Sequence, residues 1–217
     1  MSLDPRGGVE SPPGDGPAGP GPEVSLATLV RARGATLLDA LERHLPGSRD
    51  HADGTAAYAF ALSAELNPDR PHAEIVREAA RLHEIGMVYL PAGVLGRPRE
   101  ELGPQEAGVL DSHPAFGARL AAGAAIPDQA CGWIGAAGER FDGTGAWGLA
   151  GEGIPLEGRI IRVACACDSQ LTGRGSTGQP RAQATIAELR ARAGSELDPR
   201  VVEAMSAIVD RAASAGG

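Results

Sequence analysis

From Leu26 onward apolar residues recur at spacings of three and four: Leu26, Leu29 and Val30, then Leu37, Leu38, Leu41 and Leu45, with Pro46-Gly47 ending the run. On an α-helix that period brings side chains to one face, so the stretch is predicted to be amphipathic helix. A second helix is predicted from about His51 to Leu66, carried by Ala56, Ala57, Phe60, Ala61 and Leu66, and a third from about Pro71 to Ile85. Pro71 suits a first turn, where its missing N–H is not needed, and Gly86 suits a C-terminal stop. Val88 to Pro104 carries Pro91, Pro98 and several Gly, and reads as a loop with at most a short turn of helix. Further helices are predicted near residues 105–111, 113–124, 127–137, 157–171, 182–193 and 199–213, each bounded by Gly or Pro. No stretch alternates with period two for long enough to make a sheet, and no internal repeat is present. The expected fold class is all-α.

Composition changes this picture at one end. The 217 residues include 31 Gly and 17 Pro, roughly a fifth of the chain where ~12% is usual. Six of each fall within residues 1–24, a segment with almost nothing to bury. Residues 1–24 are therefore expected to be a disordered tail, and residues 25–217 one helical domain.

Charge and thiol content narrow the chemistry. All 20 basic residues are Arg, which excludes Schiff-base chemistry on a lysine and any phosphate-loop lysine. A net charge of −8 without a basic run argues against nucleic acid as a partner. The 3 Cys, with no signal-peptide pattern and no 18-residue apolar run, point to a cytoplasmic protein with reduced thiols and no membrane partner.

Of the 5 His, His51, His83 and His113 fall at predicted helix boundaries, whereas His44, beside Arg43, and His72 read as surface positions. Imidazole and carboxylate are ligands of Zn, Fe and Mn centres, and adjacent His83-Glu84 near a helix end could place both on one ion. On spacing alone, helix caps and surface histidines remain the simpler explanation.

The words around these histidines resemble one family. Ala79-Ala80-Arg81-Leu82-His83-Glu84-Ile85-Gly86-Met87 resembles the Leu-His-Asp-Ile-Gly-Lys core of the HD phosphohydrolase superfamily. Leu90-Pro91 through Val94-Leu95-Gly96-Arg97-Pro98 is similar to the Ile-Leu-x-Lys-Pro loop of its HD-GYP branch, and Ser112-His113-Pro114 with Gly117 to that branch's His-Pro-x-x-Gly element. Glu139-Arg140-Phe141-Asp142-Gly143-Thr144-Gly145 resembles its Glu-Arg-Trp-Asp-Gly-x-Gly signature. Gly153-Ile154-Pro155-Leu156, Arg159-Ile160, Asp198-Pro199 and Val201-Val202 follow in order, so the resemblance covers about residues 37–210.

That resemblance implies an HD-GYP-like helical bundle holding two or three metal ions, which hydrolyses cyclic di-GMP by attack of a metal-activated water on phosphorus. Position by position it implies metal ligands at His51, His83 and His113, with Glu84 replacing the Asp of the His-Asp pair and standing as the one candidate catalytic group. The family's two consecutive histidines fall on Ala137 and Gly138, which have no donor atoms. Its late metal-binding Asp falls on Cys165, and the upstream Glu of three-metal members falls near Gly47. The lysine after Ile-Gly is Met87, and Gly-Tyr-Pro reads Gly145-Ala146-Trp147. Of the Arg-Pro-Tyr-Lys phosphate-contact element only Arg174 remains. Arg174, Glu139 and Asp142 are the candidate substrate contacts, with a loop-bracing role open for Glu139 and Asp142.

Two readings stand for Cys165. Thiolate is a good zinc ligand and the position matches the fourth ligand of one-metal HD enzymes, so His51, His83, Glu84 and Cys165 could share one ion of Zn, Mn or Fe. Alternatively Cys165 is a small buried hydrophobe and no ion is held. On a helix Cys167 lies about 200° around from Cys165 and cannot share the ion, whereas Asp168 shares a face with Cys165. Cys131 and Cys167 are expected to pack in the core, and Trp133 and Trp147 to pack rather than stack on a guanine, with exposure open for Trp147 in its Gly-rich loop.

The expected function is that of a degenerate HD-GYP-like domain without cyclic di-GMP phosphodiesterase activity, acting as a binding or regulatory module related to nucleotide signalling. The alternative is a one-metal HD phosphohydrolase acting on an unknown phosphoester. Expected partners are a phosphorylated nucleotide, a signalling protein, or a second copy in a homodimer.

Overall fold

The computed structural model describes residues 24–95, 97, 99–172 and 182–215. The described residues form helices and turns without a named strand: α1 (Leu26–His44), α2 (Ser48–Leu66), α3 (Arg70–Arg81), α4 (Ala92–Leu95), α5 (Pro104–Asp111), α6 (His113–Gly123), α7 (Asp128–Ala136), α8 (Leu156–Leu171), α9 (Ala182–Ala191) and α10 (Pro199–Ala215). Short 3₁₀ turns occupy Ile85–Tyr89, Arg99–Glu101 and Gly151–Gly153. The fold is all-α, as the periodicity predicts. The tail through residue 23 and Arg174 lie outside the described residues.

Two helix ends differ from the sequence-based expectation, each for a physical reason. α2 begins at Ser48, not His51, because the Glu42 carboxylate accepts hydrogen bonds from the Gly47 and Arg49 amides and the Ser48 hydroxyl. A side chain of the preceding helix thus supplies the cap that the local sequence lacks. α3 stops at Arg81, not Ile85. The amides of Leu82 and His83 bond back three residues to Ala79 and Ala80, so the chain tightens before His83 and then runs into the 3₁₀ turn at Ile85. Asp69 caps the other end of α3, accepting from the His72 amide, with Pro71 in the first turn as expected.

α2 packs against both α3 and α8, and α6 against α7 and the Ile85–Tyr89 turn. Its buried positions, Ser48, His51, Ala52, Thr55, Ala56, Ala59, Leu62 and Ser63, follow the three-and-four period, and most are small. Small residues let neighbouring helices approach closely, and the bulk of the core comes from their partners: Leu82, Ile85, Ile134, Ile160, Ile161 and Met205 are fully buried. Each such side chain contributes about 1.5–3 kcal/mol relative to exposure. Cys131, Cys167 and Trp133 belong to this core, and burial, with the charge of Asp168, pushes the Cys167 thiol up to about 12.

Candidate metal centre

Three segments converge at one end of α2. The helix itself carries His51, the tightened turn after α3 carries His83 and Glu84, and α8 carries Cys165 and Asp168. One donor atom from each of His51, His83, Glu84 and Cys165 lies within 4.8 Å of the others. Cys165 Sγ stands 3.6 Å from His51 Nε2. Glu84 Oε1 is 3.6 Å from His51 Nε2 and 3.9 Å from His83 Nε2.

Hydrogen bonds on the far side of each ring decide which nitrogen faces this space. His51 Nδ1 lies 2.6 Å from Asp168 Oδ2, and His83 Nδ1 lies 2.8 Å from the Ala80 carbonyl. A carboxylate and a carbonyl only accept, so each Nδ1 carries hydrogen and each Nε2 can present a lone pair to the other donors. His83 Nε2 is buried with no hydrogen-bond partner. An orphaned acceptor of this kind is costly in a folded interior, and a cation among two imidazoles, a carboxylate and a thiol would relieve it. The residues therefore fit one divalent ion. Burial lowers the His51 pKa, but the bond to Asp168, with Cys165 and the Glu84 charge, raises it overall to about 9, so an ion bound at this centre would displace a proton from Nε2. This cluster favours positive charge at its centre.

The sequence pattern does not reveal the part of Asp168. Its place on the Cys165 face of α8 was readable from the three-residue offset, but its partner lies 117 positions away in sequence. Gly54, one turn after His51 on α2, makes the contact possible, since a Cβ there would stand 2.0 Å from Asp168 Oδ1.

The other predicted ligand, His113, lies outside this four-donor group. Its Nδ1 is 2.7 Å from the Leu110 carbonyl, and its ring lines a cavity of about 200 Å³ beside the donors. Burial holds the His113 pKa below its ordinary value, which favours the neutral ring. Ala137 and Gly138 line the same cavity with Pro114. Arg162, Arg192 and Glu196, which lie in none of the matched motifs, complete its charged wall. Arg162 donates to the Ala137 carbonyl and, at 2.6 Å, to Glu196, which also receives two bonds from Arg192. Burial alone would raise the Glu196 carboxyl, but the Arg192 hydrogen bonds and the charges of Arg162, Arg192 and Arg140 hold it at about 2.

Glu139 and Asp142 turn inward to their own loop. Glu139 is 2% exposed and accepts from the Trp147 and Leu149 amides at 2.8 and 3.0 Å. Asp142 accepts from the Thr144 amide and hydroxyl and from Arg140. Both carboxylates thus accept hydrogen bonds within the 139–149 loop. Met87 stands at an adjoining part of the cavity, at the position where the related motif has lysine.

The sequence profile described as HD domain matches residues 35–201. The chain is 35% identical over 158 residues to the cyclic di-GMP phosphodiesterase response regulator RpfG of Xanthomonas campestris pv. campestris, covering 71% of this chain and 40% of that protein. It is 30% identical over 202 residues to a cyclic di-GMP phosphodiesterase of Vibrio cholerae serotype O1, covering 87% of this chain and 39% of that protein. The chain therefore spans about two fifths of the length of these curated relatives. Among solved structures, an HDG"Y"P protein from Bdellovibrio bacteriovorus superposes with a TM-score of 0.64 at 19% identity, over 85% of this chain and 61% of that one. A cyclic GMP-AMP specific phosphodiesterase of V. cholerae superposes with a TM-score of 0.62 at 19% identity, over 86% of this chain and 49% of that one.

Proposed function

This chain belongs to the HD domain family, and on that premise we propose that it is a one-ion member that does not hydrolyse cyclic di-GMP and serves as a nucleotide-related binding or regulatory module. The observation that carries this reading is the wall facing the four donors. Where the related motif has two consecutive histidines, Ala137 and Gly138 offer no ligand atom, and the Gly138 backbone sits so close to Pro114 that a Cβ would come within 2.5 Å of the proline Cγ. Two-ion phosphoryl chemistry needs a second cation a few ångströms from the first, to clamp the attacking and leaving oxygens together. Only one group of donors is assembled among the described residues.

His51, His83, Glu84 and Cys165 would hold the ion, which when bound would supply positive charge beside the adjoining cavity. Asp168 and the Ala80 carbonyl fix the two rings. Arg162 and Arg192 bring positive charge to the adjoining cavity, although Glu196 engages both. The partners that fit are a phosphorylated nucleotide in that cavity or a signalling protein that senses its occupancy. No helix of the described residues is long and apolar enough to cross a membrane.

A second reading, a one-metal phosphohydrolase acting on another phosphoester, is favoured by the cavity of about 200 Å³ that opens directly beside the donors. Incubating the full chain with cyclic di-GMP, and separately with simple phosphomonoesters and phosphodiesters, in the presence of Zn, Mn or Fe(II) tests both. The expected result is binding without turnover of the cyclic dinucleotide. Metal-dependent appearance of the linear dinucleotide or GMP overturns the proposal, and turnover confined to another ester establishes the second reading.

A further inference from the structure

We propose that the thiol of Cys165 makes this a zinc-selective site, in which four protein donors tie α2, the turn after α3 and α8 to one ion. The inference rests on the one-ion reading above and adds the identity of the metal and its mechanical role. A carboxylate at residue 165 would leave a set of nitrogen and oxygen donors suited to Mn or Fe(II). A thiolate moves the preference toward softer zinc.

Several observations agree. Zinc is usually satisfied by four ligands, and the donor atoms of His51, His83, Glu84 and Cys165 are the four that lie within 4.8 Å of one another. The Glu84 carboxylate and a Cys165 thiolate together balance a divalent charge. Both imidazoles are held from behind, one by a carboxylate and one by a backbone carbonyl, an arrangement that fixes ring orientation and raises ligand basicity. The His83 side chain is only 6% exposed, and its Nε2 is buried without a hydrogen-bond partner. The donors come from segments that are neighbours only in the folded chain, so an ion held by all four binds the native state and not the unfolded one.

The test uses the full chain, stripped with a chelator and reloaded. One zinc per chain should survive desalting, and a tenfold excess of Mn or Fe(II) should not displace it. Zinc should raise Tm by about 5 °C or more. Cobalt(II) loaded in place of zinc should give the intense near-ultraviolet band of thiolate-to-cobalt charge transfer. Cys165→Ser should abolish that band and weaken zinc binding at least about tenfold. Cys165→Asp should lose the band and shift the preference toward Mn and Fe(II).

Displacement of zinc by Mn or Fe(II) in the parent protein overturns the proposal even if neither variant folds, as does a cobalt spectrum without the thiolate band or an unchanged Tm. Failure here and failure of the functional reading are distinguishable. Cyclic di-GMP turnover by the zinc-loaded protein, alongside a thiolate band in the cobalt-loaded protein, overturns only the function. A preference for manganese without turnover overturns only the metal assignment.

Discussion

His51 Nδ1 and Asp168 Oδ2 lie 2.6 Å apart, and the space for this contact is made by the absence of a side chain at Gly54. A Cβ at residue 54 would meet Asp168 Oδ1 at 2.0 Å, too close to be absorbed without moving the carboxylate. Gly54→Ala is therefore expected to push Asp168 off the imidazole. Strain should cost about 1–3 kcal/mol, and metal affinity should fall about 10–100-fold as the ring loses its anchor. Thermal denaturation and competitive metal titration measure the two effects. A variant with parental metal affinity would show that Asp168 does not position His51.

The Glu139 carboxylate accepts from two amides of its own loop, and its replacement tests whether it serves as a brace. Glu139→Ala leaves the Trp147 and Leu149 amides without their acceptor, at a cost of about 3 kcal/mol. Denaturant unfolding followed by tryptophan fluorescence should show the loss, because Trp147 sits in the braced loop. Metal content per folded chain should stay at the parental value. Loss of metal or ligand binding with unchanged stability would instead restore Glu139 to the substrate contacts.

How far the sequence reveals this molecule depends on the distance over which each interaction acts. The three-and-four spacing of α1 and α2 and the Pro71 start of α3 are local signals, and the helices they predict are present. The start of α2 at Ser48 was hidden because its cap is Glu42, a side chain reaching forward from another helix. In the candidate site His51, His83, Glu84 and Cys165 were legible through the order of surrounding motifs, while His113 matched its motif but stands outside the donor group. The wall of Arg162, Arg192 and Glu196 had no motif at all: it forms only when α8 meets the segment after α9. Conversely, Glu139 and Asp142 matched a signature whose hydrogen bonds serve the loop, since a motif records which residues recur and not which way they turn.

That charged wall gives a pH dependence with a definite sign. Glu196 is held at about 2 by its arginines, below its ordinary 4.5. The folded state therefore takes up its proton less readily than the unfolded chain, and the stability from this group is present above about pH 4.5 and lost as pH falls toward about 2. Glu196→Gln should lower stability by about 1–3 kcal/mol at neutral pH by leaving Arg162 and Arg192 without their carboxylate. The gap between the two proteins should narrow below pH 4.5 and close near pH 2. Tm measured for both across that range provides the check, and a gap that stays constant would sink the assignment.

Restoring the missing donors tests the absence of a second ion most directly. Ala137→His with Gly138→His returns two imidazoles to the wall beside His113, and adding Cys165→Asp, Glu84→Asp and Met87→Lys restores the rest of the related motif. If one-ion binding follows from these positions, the combined variant should hold more metal per chain than the parent, and the gain should depend on the set more than on any one member. The gain is opposed by packing. A side chain at residue 138 begins 2.5 Å from Pro114 Cγ, so the first turn of α6 must shift to admit it, at a cost of about 1–3 kcal/mol. Gly138→Ala alone should show most of that destabilisation with no change in metal content, which separates the steric cost from the coordination chemistry. Elemental analysis of the folded variants decides the matter. A fully restored protein that folds normally yet binds no more metal than the parent would show that residues 137 and 138 do not occupy the histidine positions, and the one-ion reading would lose the observation that carries it.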